Sequence, residues 1–209
     1  MLKNEEISIS EIYNLESIIN YYIGKKTSAA FGMMLCDEVE FTTKTYFKDI
    51  IPFNQEFPPS NEIVLCSTFL KGEGDIRFRI LYTLTENDAK QLAAKLLCTE
   101  SVNEINDLSE SSIKEVGNIM TGSFFNAICD ETDFKIDLST PDFIMGSITD
   151  AMKPIKDSIK DIHSLITTDV VLKPKNNQIK LRMVIMQEIN DAKQLLQCYD
   201  ILTSKINCK

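Results

Sequence analysis

The sequence predicts an α+β domain built from two pseudo-symmetric halves that share one continuous mixed or antiparallel sheet of about six strands, with two long helices on one face. Three observations lead there. The hexapeptide NDAKQL occurs twice, at residues 87–92 and 190–195. Each copy follows two β-rich runs joined by a turn signal. Each such pair is itself preceded by a long helical pattern that runs into another strand, so the order helix, strand, hairpin, helix occurs twice. Six shared letters among ordinary helix formers arise easily by chance, and the repeated element order is the stronger sign of an internal duplication. A period of about 100 residues is too long for a solenoid. The economical arrangement is one domain over residues 1–209, with one half over about residues 1–100 and the other over about 101–209.

The first helix is expected over SEIYNLESIINYYIGKKTSAAFGMML and the first strand over VEFTTKTYF. NEIVLCSTFL (61–70) and DIRFRILYTL (75–84) then flank KGEG, which is expected to be the hairpin turn. The helix opening at the first NDAKQL has Thr85 and Asp88 at capping-box spacing. The second half begins with SESSIKEVGNIMTGSFFNAI, followed by the strand FKIDLSTPDF. TTDVVLKP (167–174) and QIKLRMVIMQ (178–187) flank Asn176-Asn177, a pair that tolerates positive φ and suits a tight turn. The second NDAKQL helix closes the chain.

Composition narrows the function. A hydrophobic content of 44% over 209 residues supports a packed core, and a formal net charge of −9 argues against a surface that tracks nucleic-acid phosphates. No run approaches the roughly 20 apolar residues of a membrane span. Glu5 and Glu6 sit where a signal peptide would be apolar, so a cytoplasmic location without membrane insertion is expected. The six cysteines are scattered, without the close pairs of a zinc site, and read as reduced structural residues. His163 is the lone histidine, and no nucleophile–histidine order or phosphate-binding loop stands out.

The chemistry concentrates on the second long helix. At about 100° per residue, Ser111, Glu115, Asn118 and Gly122 fall within an arc of roughly 60°. Ile113, Val116, Met120, Phe124 and Ala127 form the opposite, apolar face. Gly117 and Gly122 each cost about 1 kcal/mol relative to Ala in a helix. Flanking a polar pair, they suggest room for another macromolecule at the helix backbone. Phe125 borders the stripe and is a second candidate for partner contact.

SSIKEVGNIMTGSFFNAI followed by LSTPDF resembles the signature of the CheC, CheX and FliY phosphatases of bacterial chemotaxis. That signature is Asp or Ser, three residues, Glu, two residues, Asn, twenty-two residues, Pro; Ser111, Glu115, Asn118 and Pro141 fill it without a gap. The two-half plan is similar to CheC in particular, and the resemblance extends through GEGDIRFRILYTLTENDAKQLAAKLL. It implies hydrolysis of the aspartyl phosphate on a CheY-type response regulator, with Asn118 orienting the attacking water and Glu115 pairing with a lysine of the regulator. It also implies no cofactor of the chain's own, the Mg2+ and the phosphorylated aspartate both belonging to the regulator. Pro141 is expected to shape the chain rather than touch substrate. The alternative reading is a non-catalytic module of the same fold that binds a chemotaxis or flagellar-switch partner such as a CheD-like deamidase.

The resemblance also implies a matching motif in the first half. Counting back from the helix ends puts Ile18 and Tyr21, or Tyr22 and Lys25, where Glu and Asn belong, and VEFTTKTYF has no proline. The first half therefore reads as degenerate. Glu11 and Asn14 have the spacing of three and are the candidates for a weak second site, while Ser8 and Glu11 equally suit a capping box.

Overall fold

The computed structural model describes residues 7–47, 63–159 and 165–198; His163, Cys208 and the start of the run at 61–70 lie outside them. The first long helix forms as α1 (Ile9–Tyr22), a single π turn (Ile23–Thr27) and α2 (Ser28–Leu35). Ser8 caps it: its hydroxyl accepts the Glu11 N–H at 3.2 Å, and the Glu11 carboxylate accepts the Ser8 N–H at 2.7 Å. After α2 the chain reverses at Cys36, held in the left-handed region at φ 51°, and enters β1 (Val39–Phe47). The hairpin β2 (Leu65–Gly74) and β3 (Phe78–Thr85) follows, then α3 (Glu86–Leu96).

The second half runs α4 (Asp107–Cys129), β4 (Ile136–Leu138), β5 (Asp142–Gly146), the short helices α5 (Ile148–Ala151) and α6 (Lys153–Ser158), then β6 (Leu165–Pro174), β7 (Leu181–Glu188) and α7 (Ile189–Gln197). The sheet has seven strands in the order β1-β6-β7-β3-β2-β4, with β5 beside β4 on the same edge of β2. Every pairing is antiparallel.

The seventh strand arises because the predicted strand 134–143 breaks at Ser139–Pro141 into β4 and β5. Proline has no N–H to give to the ladder. Ser139 carries the connection instead, its N–H donating to Lys71 O and its hydroxyl accepting the Lys71 N–H, both at 2.9 Å. The strand order is unchanged when the two halves are exchanged. Each half's leading strand joins the other half's hairpin, β1 on β6 and β4/β5 on β2.

Strand alternation sends two sets of side chains to opposite faces. On one face Leu70, Ile80, Tyr82, Met183 and Ile185 meet Leu15, Ile18, Ile19 and Tyr22 of α1 and Ile113, Val116, Met120 and Phe124 of α4. On the other, Leu65, Phe69, Leu81, Val184 and Met186 pack under Ile148, Ala151, Met152 and Ile155 of the short helices, a partial second layer that the sequence did not predict. Among the described residues no helix is long and apolar enough to cross a membrane.

The first turn expectation needs correction, and the second holds by another means than backbone conformation. KGEG belongs to β2, and the reversal falls at Asp75–Arg77. Its glycines serve close approach: a Cβ on Gly72 would lie 2.5 Å from Phe125 Cζ, and Gly74, at φ 148°, sits against the Lys135 carbonyl. Asn176 and Asn177 do make the second turn but not through positive φ, which among the described non-glycine residues only Cys36 and Cys98 adopt. Their amides instead donate to Asp37 at 2.7 and 3.0 Å, tying this hairpin to the α2–β1 turn.

The two NDAKQL helices use the same aspartate differently. Asp88 lies in the first turn of α3, where its N–H donates to Thr85 Oγ1 at 3.1 Å and its carboxylate accepts the Thr85 hydroxyl. Asp191 is buried and accepts the Arg77 N–H at 3.0 Å and Arg77 Nε at 3.2 Å, pinning the β2–β3 turn to α7. Asp191→Ala should therefore cost about 1.5–3 kcal/mol, the range for hydrogen bonds to a charged group. Asp88→Ala should cost about 0.3–1 kcal/mol, as for a first-turn acid on a helix. Urea denaturation of the two variants measures both, and equal losses would mean that Asp191 is no tie.

Candidate functional site

Helix α4 is fixed at both its start and its underside. Asn106 Oδ1 accepts the N–H groups of Leu108 and Ser109 at 3.1 Å each, and Ser109 Oγ accepts the Asn106 N–H at 2.7 Å. Ile113, Val116, Met120, Phe124 and Ala127 are all buried, as their spacing predicts. Beneath the helix, Tyr82 OH and Thr121 Oγ1 are 3.0 Å apart, and burial pushes the Tyr82 phenol far above its ordinary pKa, so it stays protonated.

Gly117 belongs to this underside, not to the polar stripe. A Cβ there would stand 3.1 Å from Thr68 Cγ2 and 3.3 Å from both Leu70 Cδ1 and Tyr82 Cδ2, so the glycine lets α4 settle onto β2 and β3. Phe125 is corrected in the same way: it is buried, its ring 5.3 Å from that of Phe78, and no partner can reach it. Gly122 is the open glycine, where a Cβ would meet nothing within 4 Å.

With the underside anchored, the stripe faces outward. Ser111 and Glu115 are exposed, Asn118 and Gly122 half-buried. Asn118 Nδ2 donates to Glu115 Oε2 at 3.4 Å, a long bond, which leaves Asn118 Oδ1 as the free end of the amide. Ser111 Oγ donates to the Asp107 carbonyl at 2.7 Å, so its hydroxyl is committed to the helix. Pro141 lies in the break between β4 and β5 and shapes the edge of the sheet that α4 covers.

Two apolar residues beside the stripe went unnoticed in the sequence. Leu108 and Ile119 are 63% and 38% exposed and bracket Glu115 along the helix. Their signal was available, since at about 100° per residue both fall within roughly 40° of Glu115. Met145 of β5, which pairs with Cys66 and so projects from the helix-bearing face, is also exposed. Among the described residues no group of three His, Cys, Asp or Glu side chains is placed to hold a metal ion.

The first half acquires a different register from the one its helix ends imply. Both long helices begin at a capping box, so N-cap Ser8 can be laid on N-cap Asn106. Tyr13, Ser17, Asn20 and Gly24 then fall on Ser111, Glu115, Asn118 and Gly122. A π turn takes one extra residue, which accounts for the count that lands on Ile18 and Tyr21, one position off. The count that lands on Tyr22 and Lys25 is five off because the first long helix also runs further past the turn. Ile18 and Tyr22 are buried core residues. Glu11 is held in its cap, and Asn14, about 100° from Tyr13, lies off the outward stripe. Asn20 Oδ1 accepts the Thr43 hydroxyl at 3.0 Å. The nearest acid, Glu16, is turned onto the Thr45 N–H.

An antiparallel sheet whose order survives exchange of its halves, carrying an outward Glu–Asn pair on a long helix, defines a class. The sequence model of the CheC-like family matches residues 108–145, the segment that spans the pair and Pro141. Over most of its length the chain is similar to CheC, CheX and FliY proteins. It is 21% identical over 206 residues to the CheY-P phosphatase CheC of Bacillus subtilis (strain 168), covering 93% of each chain. Among solved structures, FliY of Thermotoga maritima superposes with a TM-score of 0.71 at 12% identity, over 93% of this chain and 98% of that one. The CheX-CheY-BeF3-Mg+2 complex from Borrelia burgdorferi matches with a TM-score of 0.51 at 19% identity, over 86% and 98%.

The two glycines of α4 should respond oppositely to the same change. Gly117→Ala forces a methyl between the helix and the sheet and should destabilise by about 1–3 kcal/mol, whereas Gly122→Ala should stabilise by up to about 1 kcal/mol through helix propensity alone. Denaturation midpoints decide; a neutral Gly117→Ala would show that α4 is not seated as described.

Proposed function

We propose that this chain is a phosphatase acting on the aspartyl phosphate of a CheY-type response regulator, with Asn118 and Glu115 as its working residues. The observation that carries the reading is the pairing of an outward amide with an outward carboxylate on a helix whose other face is locked into the core. Support for the partner class comes from the Bacillus subtilis relative, named a CheY-P phosphatase, and from the neighbour that is a CheX–CheY complex.

Hydrolysis of an acyl phosphate needs a water held in line with phosphorus, and positioning supplies most of the catalysis. The free Oδ1 of Asn118 accepts a hydrogen bond from that water as the amide enters the regulator's site. The water oxygen bonds to phosphorus while the bond from phosphorus to the aspartyl oxygen breaks, yielding phosphate and a free carboxylate. The long bond to Glu115 is weak enough to be surrendered on docking, which frees the carboxylate to pair with a cation of the regulator. Mg2+, held by the regulator and not by this chain, would supply charge neutralisation for the phosphoryl group. Leu108 and Ile119 add apolar contacts on either side of Glu115, and Gly122 keeps the helix backbone approachable.

The test is the decay of a phosphorylated CheY-type regulator in the presence of wild type and variants. Asn118→Ala should lose about 10²-fold in turnover with little change in KM, as expected for a positioning group. Glu115→Ala and Leu108→Asp should act mainly on KM, raising it about tenfold, since each removes a docking contact worth about 1.5 kcal/mol. If wild type binds the regulator without accelerating decay, the phosphatase reading fails and the chain is a binding module, for which a CheD-like deamidase is the first partner to try.

A further inference from the structure

Strand β1 ends the sheet, and among the described residues no strand pairs with its outer edge. The direction of its backbone groups is fixed where the strand begins. The Lys175 N–H donates to Glu38 O at 2.8 Å, so Glu38 and the residues in step with it, Glu40 and Thr42, turn their N–H and C=O groups inward to β6. Pro174, which has no N–H to give, stands opposite Val39, in the row that this parity leaves unbonded. Val39, Phe41 and Thr43 therefore turn their backbone groups outward. Thr45, next in that row, does so too, and its N–H is taken by the Glu16 carboxylate. Glu16 thus closes the far end of an edge that is otherwise a template for another chain.

The first long helix lies along β1 and decides what can use this edge. Asn20 bonds Thr43, Gly24 faces the Phe41 ring, and a Cβ on Gly32 would stand 3.6 Å from Val39 Cγ2. A second copy adding its own β1 antiparallel would bring its own long helix to the same face. Adjacent strands are about 5 Å apart, whereas packed helices need about 8–10 Å between axes, so the two helices would collide. The edge fits a bare strand.

Two hollows flank the open stretch. One, of about 500 Å³, lies between α2 and the start of β1, where Ala29 and Met33 are exposed, Met33 by 75%. It gathers three carboxylates, of Asp37, Glu38 and Glu40, and one ammonium, of Lys175. That combination suits a lysine or arginine, its stem against Met33 and its charged end at Glu38 and Glu40. The other hollow, of about 460 Å³, reaches Thr42, Val171 and Lys173, whose side chains belong to the face away from the long helices. Successive side chains of an added strand point to opposite faces, so a basic residue and its apolar neighbour enter different hollows.

We propose that the outer edge of β1 from Val39 to Thr43 docks an extended segment of a partner protein as a further strand, with a basic side chain in the α2 hollow and an apolar neighbour over Val171. The proposal does not rest on the phosphatase reading. β2, beneath α4, lies four strand spacings away, about 19 Å, so this edge and the Glu115–Asn118 face can be occupied together.

Fluorescence anisotropy of a labelled peptide, STVRVRVTS, with the whole chain should give a Kd of about 100 µM or tighter. Glutamate in place of the arginines should weaken binding at least tenfold. N-methylation should abolish binding on one alternate set of peptide amides and spare the other, as an added strand requires. In the protein, the peptide should slow hydrogen exchange at Val39, Phe41 and Thr43 at least tenfold. Glu38→Lys combined with Glu40→Lys should reverse the preference in favour of the glutamate peptide, while Leu108→Asp on α4 should bind as wild type does. Absence of binding up to about 1 mM peptide overturns the proposal. So does protection that falls on α4 instead of β1. Protection of the same three amides that grows with protein concentration and needs no peptide also overturns it, since the occupant would then be a second copy.

Discussion

The pairing of β3 with β7 is the constraint on which the rest of this molecule depends. Five registered pairs, from Arg79↔Met186 to Thr83↔Arg182, join the two halves at the centre of the sheet. Ile80, Tyr82, Met183 and Ile185 are buried on one face of that seam, and Leu81 and Val184 on the other. Because the seam is antiparallel and central, both long helices must lie on the same face, and each half can lend its leading strand to the other's hairpin. Tyr82 shows how directly the site depends on it: the ring seats Gly117, and the hydroxyl meets Thr121.

A second set of contacts ties the helices together at their far ends. Tyr21 OH donates to Glu131 at 2.9 Å, Lys25 pairs with the same carboxylate, and Lys26 pairs with Asp130. The Glu131 hydrogen bond holds the Lys25 ammonium above its usual pKa, and the Lys26 ammonium holds the Asp130 carboxyl below its own. These partners straddle the π turn, so the irregular part of the first helix is also the part clamped to the end of α4. The stripes of the two helices, which begin at their N-terminal caps, are left free of that clamp.

Duplicated letters have diverged in use. Asp88 serves its own helix turn, while Asp191 reaches across to Arg77. Asn118 lies beside a carboxylate on an open face, while Asn20 lies beside a serine and is held by a threonine of β1. The same residue type acquires a different task when its neighbours change, since a side-chain amide or carboxylate takes whichever partner the fold brings within reach.

The sequence by itself determined the amphipathic helices, the doubled element order and the outward stripe of Ser111, Glu115, Asn118 and Gly122, because periodicity and capping are local properties of the chain. The burial of Ile113, Val116, Met120, Phe124 and Ala127 follows from the same arithmetic. It also puts Gly117 on the apolar face, about 40° from Ile113 and about 20° from Phe124, and Gly122 on the stripe. Only the tertiary structure decided how tightly Gly117 is packed. It likewise decided that Phe125 is core, that residues 134–143 make two strands, and that short helices cover part of the second face. The register of the first half was hidden for a further reason: the two long helices differ in length, and one of the extra residues sits in a π turn that nothing in the letters of Ile23–Thr27 announces. Contacts between segments distant in sequence make these choices, and a local pattern carries no information about what will pack against it.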